Sequence, residues 1–187
     1  MYRAPVGEIA FTLRHVTGLG QALGAGLFPT LSDDLLDAIL AEAGRFASDE
    51  IAPLRKVGDR VGSRLDGHAV TTPPGWPDLY RRWTEGGWNA LTGPEAFGGQ
   101  ALPHSLAMAA LEMWIAGSVA FALAPTLTMG AVEALHMHGS ETLKQLYLPK
   151  LVSGEWTGTM HLTEPQAGSD LGAIRTRAEP AGDGTYR

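Results

Sequence analysis

The sequence predicts a mainly α fold: a helical domain over residues 32–153, then the first strands of a β-domain over 154–187, with residues 1–31 as an N-terminal extension. Three observations predict it. Apolar residues recur at helical spacing through much of 32–149, Gly and Ser punctuate the periodic segments, and after Gly154 the texture turns to an alternation rich in Thr.

Residues 1–31 are Gly-rich, and "GLGQALGAGLFPT" reads as irregular, because each interior Gly costs a helix about 1 kcal/mol. A short helix is expected near "EIAFTLRHV". Ser32 is placed to cap the next helix, with Asp33 and Asp34 in the first turn, where the helix dipole favours acids. Leu35, Leu36, Ile39, Leu40, Ala43, Phe46 and Ala47 carry that helix to Pro53, and Leu36, Ile39, Leu40 and Phe46 are its candidate core. Residues 53–75 read as a Gly- and Pro-rich connector. Trp76, Leu79, Tyr80 and Trp83 then share one face of a short helix stopped by Gly86.

"LTGPEAFGGQALP" has the composition of a surface loop. "HSLAMAALEMWIAG" and "TLTMGAVEALHMHG" predict two helices, each closed by Gly, and "SETLKQLYLPKL" a third, capped by Ser140 and cut short by Pro149. These helices make a bundle or array. "EWTGTMHLT" predicts a strand, and "IRTRAEPAGDGTYR" a second strand, a Gly-Asp-Gly turn and the opening of a hairpin partner. A strand without partners leaves backbone groups unpaired, so the chain reads as part of a longer protein.

Composition excludes several functions. At 44% hydrophobic and 18% charged, the chain can bury a core. With 14 Lys+Arg against 20 Asp+Glu, and the basic residues scattered, it offers no footprint for nucleic acid. It has no Cys, which excludes disulfides and thiolate chemistry and suits a cytoplasmic location. Glu8 and Arg14 interrupt the N-terminus, so no signal peptide is expected, and no run of about 18 apolar residues is read as a membrane span. His136 and His138, two apart on a helix, point about 200° from one another and cannot converge on one metal ion. Glu112, Glu133 and Glu141 are read as solvated or capping acids, and Trp83, Trp88 and Trp114 as packing residues. "GSDLG" is not the G-x-S-x-G elbow of a Ser hydrolase.

The densest turn chemistry lies in "MHLTEPQAGSDLGA", Met160 to Ala173. Successive N–H groups around Gly168, with hydroxyls at Thr163 and Ser169, can hold an anion such as a pyrophosphate. The alternative is a connecting loop in which Glu164, Ser169 and Asp170 cap turns, and turn statistics favour it.

"LTEPQAGSDLG" resembles, without a break, the flavin-binding signature of the acyl-CoA dehydrogenases. "GPEAFGGQALP" resembles that family's P-E-x-x-G-G loop, and "HGSETLKQLYLPKLVSGEWTGTM" its passage from a helix into the first β-strand. Three motifs in order are more specific than one, and the resemblance covers residues 32–187. The N-terminal "YRAPVGEIAFTLRHV" is similar to the extension of the larger subgroup that includes 3-methylmercaptopropionyl-CoA dehydrogenases.

The resemblance implies an N-terminal helical domain followed by a middle β-domain, with non-covalent FAD against this loop. Met160, His161, Leu162 and Thr163 match the strand end beside the isoalloxazine ring. Gly168 and Ser169 match the turn at the pyrophosphate, and Ser169 also a position that contacts acyl-CoA. His161 departs from the small or uncharged residue of many relatives, and is expected to turn towards the interior and be hydrogen-bonded. The family's activity is α,β-dehydrogenation of an acyl-CoA to a 2-enoyl-CoA. Its catalytic base is a Glu beyond Arg187, so no catalytic residue is assigned and these residues alone are expected to be inactive. An electron-transfer flavoprotein partner and a homodimer or homotetramer are implied likewise. An acyl-CoA oxidase, or a flavin-binding relative that mainly binds DNA or protein, are the alternatives.

Overall fold

Ser32 caps the first long helix of the computed structural model, which describes residues 2–187: its hydroxyl accepts from the Leu35 N–H at 3.1 Å. Two helices precede it, α1 (Val6–His15) and α2 (Leu19–Gly24), and α3 runs Asp33–Arg45. On α3, Leu36, Leu40 and Ala43 are fully buried, while Ile39 is half-buried.

The chain does not stop at Pro53. A π-helical turn, Phe46–Ile51, leads directly into α4 (Ala52–Val61). The widened turn shifts the hydrogen-bond register, so Pro53 falls in the first turn of α4, where a missing N–H costs least. The expected connector over 53–75 is thus a helix followed by a hairpin, β1 (Arg64–Asp66) with β2 (Ala69–Thr71), pairing Leu65 with Val70. No residue of α4 is fully buried, although Leu54 packs against the core.

The Gly-rich N-terminal stretch holds α2 rather than irregular chain. Burial of Leu19 offsets its glycines. Ile9, Ala10 and Leu13 of α1 join the same core, and Arg14 pairs with Asp37 at 2.8 Å and Asp33 at 3.3 Å on α3.

Helix α5 (Trp76–Glu85) has Leu79 and Trp83 fully buried and ends at Gly86, as the sequence indicates. Trp83, Trp88 and Trp114 form the centre of the core, Trp83 and Trp114 edge-on with centroids 4.4 Å apart. Two of the three polar edges are paired: Trp114 Nε1 donates to the Ala43 carbonyl at 3.2 Å, and Trp83 Nε1 to Asn89 Oδ1 at 2.6 Å.

Two helical stretches follow residue 104, as expected, and run on as α6 (His104–His138) across a kink at Ser118, whose backbone is extended (φ −162°, ψ 104°) directly after Gly117. The second stretch begins earlier than expected: "VAFALAP" is helical with Pro125 inside. Helix α6 is long and apolar enough by length and composition to cross a membrane, a test that the core helix of a folded domain also passes. In this fold 61% of its most apolar window is buried against other elements.

Helix α7 (Glu141–Ser153) is capped by Ser140, accepting from the Leu143 N–H, and continues through Pro149. Pro149 and Gln145 are exposed, so the Gln145 carbonyl left without an N–H partner is open to water. Gly154, at φ +79°, ends the helix.

Beyond Gly154 the expected strands do not pair. Among the described residues "EWTGTMHLT" joins no ladder. The Gly-Asp-Gly turn is present: Gly182 and Gly184 have positive φ, and Glu179 and Arg187 exchange both backbone bonds at 3.0 Å.

Candidate functional site

The segment from Gly154 to Thr176 leaves α7 and crosses the helical domain, held from beneath by two helices. Tyr80 Oη on α5 donates to the Gly154 carbonyl at 3.0 Å, and Thr128 Oγ1 on α6 accepts from the Gly158 N–H at 3.1 Å. The Trp156 N–H bonds the Lys150 carbonyl, while the Lys150 ammonium lies 4.5 Å from the Trp156 ring centroid and pairs with Glu155 at 2.9 Å.

Next comes a tight turn. Glu164 and Ala167 exchange both backbone hydrogen bonds at 3.0 Å, so Pro165 and Gln166 form its tip and Thr163 and Gly168 leave it on facing sides. The Glu164 carboxylate organises the rest. It accepts from the Thr176 hydroxyl, the Thr176 N–H at 2.9 Å, the Arg175 N–H at 3.0 Å and the Gln166 amide. These donors, the Thr176 hydroxyl foremost, pull its pKa down to about 2. Asp170 caps the short 3₁₀ turn Leu171–Ala173 by accepting from the Gly172 N–H at 3.1 Å. Glu164 and Asp170 therefore do the turn-capping that sequence allows for them.

Ser169 does not. Among the described residues neither its hydroxyl nor that of Thr163 makes an internal hydrogen bond, and both residues are exposed. Met160, His161 and Leu162 are exposed as well, in chain whose N–H and carbonyl groups have no partner among the described residues. His161 does not turn inward: its Nε2 lies 3.1 Å from Thr159 Oγ1 on the exposed surface, since no layer covers this segment. At Gly168 an added Cβ would meet nothing within 4 Å. The loop thus presents free donors, two free hydroxyls and open space at one glycine, which suits the edge and phosphates of a flavin nucleotide.

His136 and His138 are exposed, as are Glu112, Glu133 and Glu141, and among the described residues no group of three His, Asp or Glu gathers around a metal-sized site. Periodicity missed Tyr80 and Thr128, which it registers only as members of helix faces. The Gly154 and Gly158 opposite them are the available signal.

Residues 33–155 match the family model described as acyl-CoA dehydrogenase, N-terminal domain. The chain belongs to the acyl-CoA dehydrogenase family. It is 42% identical over 185 residues to the 3-methylmercaptopropionyl-CoA dehydrogenase of Ruegeria pomeroyi, an alignment covering 99% of this chain and 32% of that protein. Both the N-terminal extension and the Met160–Ser169 loop fall within that alignment, although the family model stops at residue 155.

Among solved structures, the butyryl-CoA dehydrogenase of Megasphaera elsdenii superposes with a TM-score of 0.68 at 25% identity, over 84% of this chain and 39% of that one. An acyl-CoA dehydrogenase of Bacillus anthracis, complexed with FAD, shares the fold with a TM-score of 0.68 at 24% identity, over 85% of this chain and 26% of that one. This acyl-CoA dehydrogenase-family chain spans about a third of the length of the curated relatives it matches. Its helical architecture is that of the family's N-terminal domain.

Proposed function

We propose that the chain is the N-terminal part of a flavin-dependent acyl-CoA dehydrogenase, which converts an acyl-CoA thioester to its 2-enoyl-CoA. The observation that carries this is the exposed Thr163–Ser169 turn, built rigidly by Glu164 yet leaving the Thr163 and Ser169 hydroxyls free. FAD bound there would supply a hydride acceptor at N5. The backbone of Met160, His161, Leu162 and Thr163, with the Thr163 hydroxyl, binds and orients the flavin's pyrimidine edge. Gly168 admits the pyrophosphate because it places no Cβ in the way, and Ser169 donates to it and contacts the acyl-CoA. No residue of this chain is assigned the base that removes the α-proton.

The same reading includes reoxidation by an electron-transfer flavoprotein, a homodimer or homotetramer, and a cytoplasmic role in fatty acid metabolism. It is tested by adding a panel of acyl-CoAs anaerobically to the intact FAD-loaded protein. Flavin bleaching with an equal amount of 2-enoyl-CoA is expected. Turnover without bleaching, or no reaction with any acyl-CoA, contradicts the reading.

A further inference from the structure

We infer that Glu164 and Thr176 act as one positioning pair for the flavin: by closing the loop between them they fix where Gly168 and Ser169 lie relative to Thr163. The inference rests on the functional reading above for the ligand, and on hydrogen bonds made within residues 163–176 for the device.

Glu164 closes the chain on itself twice. Its backbone pairs with Ala167, which is fully buried and so ties the turn to the domain beneath. Its half-buried carboxylate closes a wider ring. Oε1 accepts from the Thr176 N–H at 2.9 Å and from the Thr176 hydroxyl, and Oε2 from the Arg175 N–H at 3.0 Å and the Gln166 amide. Gln166 also reaches the Ala173 carbonyl at 3.4 Å, and Asp170 caps the turn between. Gly168 and Ser169 lie inside this ring, between its anchored parts. Among the described residues the N–H groups of Gly168, Ser169 and Asp170 make no internal hydrogen bond, so they stay available to an anion. Thr163 directly precedes the residue that closes the ring. Opening the ring therefore frees one side of the site from the other, and FAD would have to order the loop as it binds.

Charge separates this role from a direct one. The donors around it keep Glu164 ionised at neutral pH. A carboxylate this close to a pyrophosphate repels it, so a Glu164 that acted on the ligand through its charge would weaken binding, and its removal would tighten it. Removing a positioning residue does the opposite. Gln is the discriminating replacement, because it keeps the shape and drops the charge while offering one acceptor oxygen where the carboxylate offers two. It can hold Thr176 or Arg175, but not both.

The test measures FAD affinity and the bound flavin's visible spectrum in the intact protein carrying Glu164→Gln, Thr176→Val or both, with Thr176→Ser as the conservative variant. Thermal melting confirms folding, and Thr176→Val probes the same ring should Glu164→Gln fail to fold. Each single variant is expected to weaken binding about five- to tenfold and to change the spectrum, while Thr176→Ser stays near wild type. The double variant should be little weaker than either single one, because both open the same ring. Tighter or unchanged binding in Glu164→Gln overturns the inference, and so do losses that simply add in the double variant. Amide exchange at Arg175 and Thr176 in the FAD-free protein reads the ring without its ligand. Protection that is lost in Glu164→Gln supports it, and unprotected amides in wild type refute it. If wild type binds no FAD the functional reading fails, and this exchange measurement still decides whether the ring exists.

Discussion

Leu40 and Leu35 lie on the same helix, yet truncating them should have very different consequences. Leu40 has no exposed surface and packs within the cluster that includes Leu36, Ala43 and Trp114, whereas Leu35 is 41% exposed. Leu→Ala removes three carbons, about 2.4 kcal/mol of transfer free energy at roughly 0.8 kcal/mol for each. At Leu40 a residual cavity adds to this, because α3 and α6 are held on either side and cannot collapse fully. About 3–4 kcal/mol is expected in total, within the usual range for buried Leu. For a domain of this size each kcal/mol moves the melting temperature by about 2–4 °C, so Leu40→Ala should lower it by roughly 6–16 °C. Leu35→Ala should cost less than about 1 kcal/mol. Urea and thermal unfolding of both variants provide the assay. Equal losses, or less than about 1 kcal/mol at Leu40, would refute the assignment of the α3 face that meets the core.

Gly168→Val should weaken FAD binding while leaving the melting temperature within about 1 °C of wild type, because a Cβ at Gly168 meets no protein atom. FAD titration and melting of the variant check both parts, and unchanged affinity would remove Gly168 from the phosphate approach. Glu164 gives a pH prediction. Its folded pKa lies below the ordinary 4.5, at about 2, so its contribution to loop order is fully present above the ordinary value and is lost as pH falls towards the folded one. Amide exchange at Arg175 and Thr176 should therefore stay slow at neutral pH and quicken between about pH 4.5 and 2, apart from the intrinsic pH effect. Glu164→Gln should show no such step.

Where apolar spacing and caps coincide, sequence specifies the structure. Ser32, Leu36 and Leu40 announce α3, Ser140 announces α7, and Trp76, Leu79 and Trp83 announce α5. The failures share another cause. Pro53 and Pro149 read as boundaries, but the first falls in an initial helical turn and the second is tolerated inside a helix that tertiary packing holds in place. Helix α4 has Leu54, Val57 and Val61 at helical spacing, but its Pro and Gly read as a connector. The 155–163 segment has a strand's alternation and, as expected of a strand without partners, joins no ladder among the described residues. At the candidate site, the motif singles out the loop, while the supports at Tyr80 and Thr128 come from helices 74 and 30 residues away from their partners in sequence.

The central claim is that the Thr163–Ser169 turn holds FAD, and reconstitution of the intact FAD-free protein tests it most directly. FAD titration, followed by acid precipitation, should show one flavin bound per chain and fully released by acid, with affinity reduced in a Thr163→Val, Ser169→Ala double variant that melts as wild type does. Failure of the wild-type protein to take up FAD, or undiminished affinity in the double variant, would contradict it.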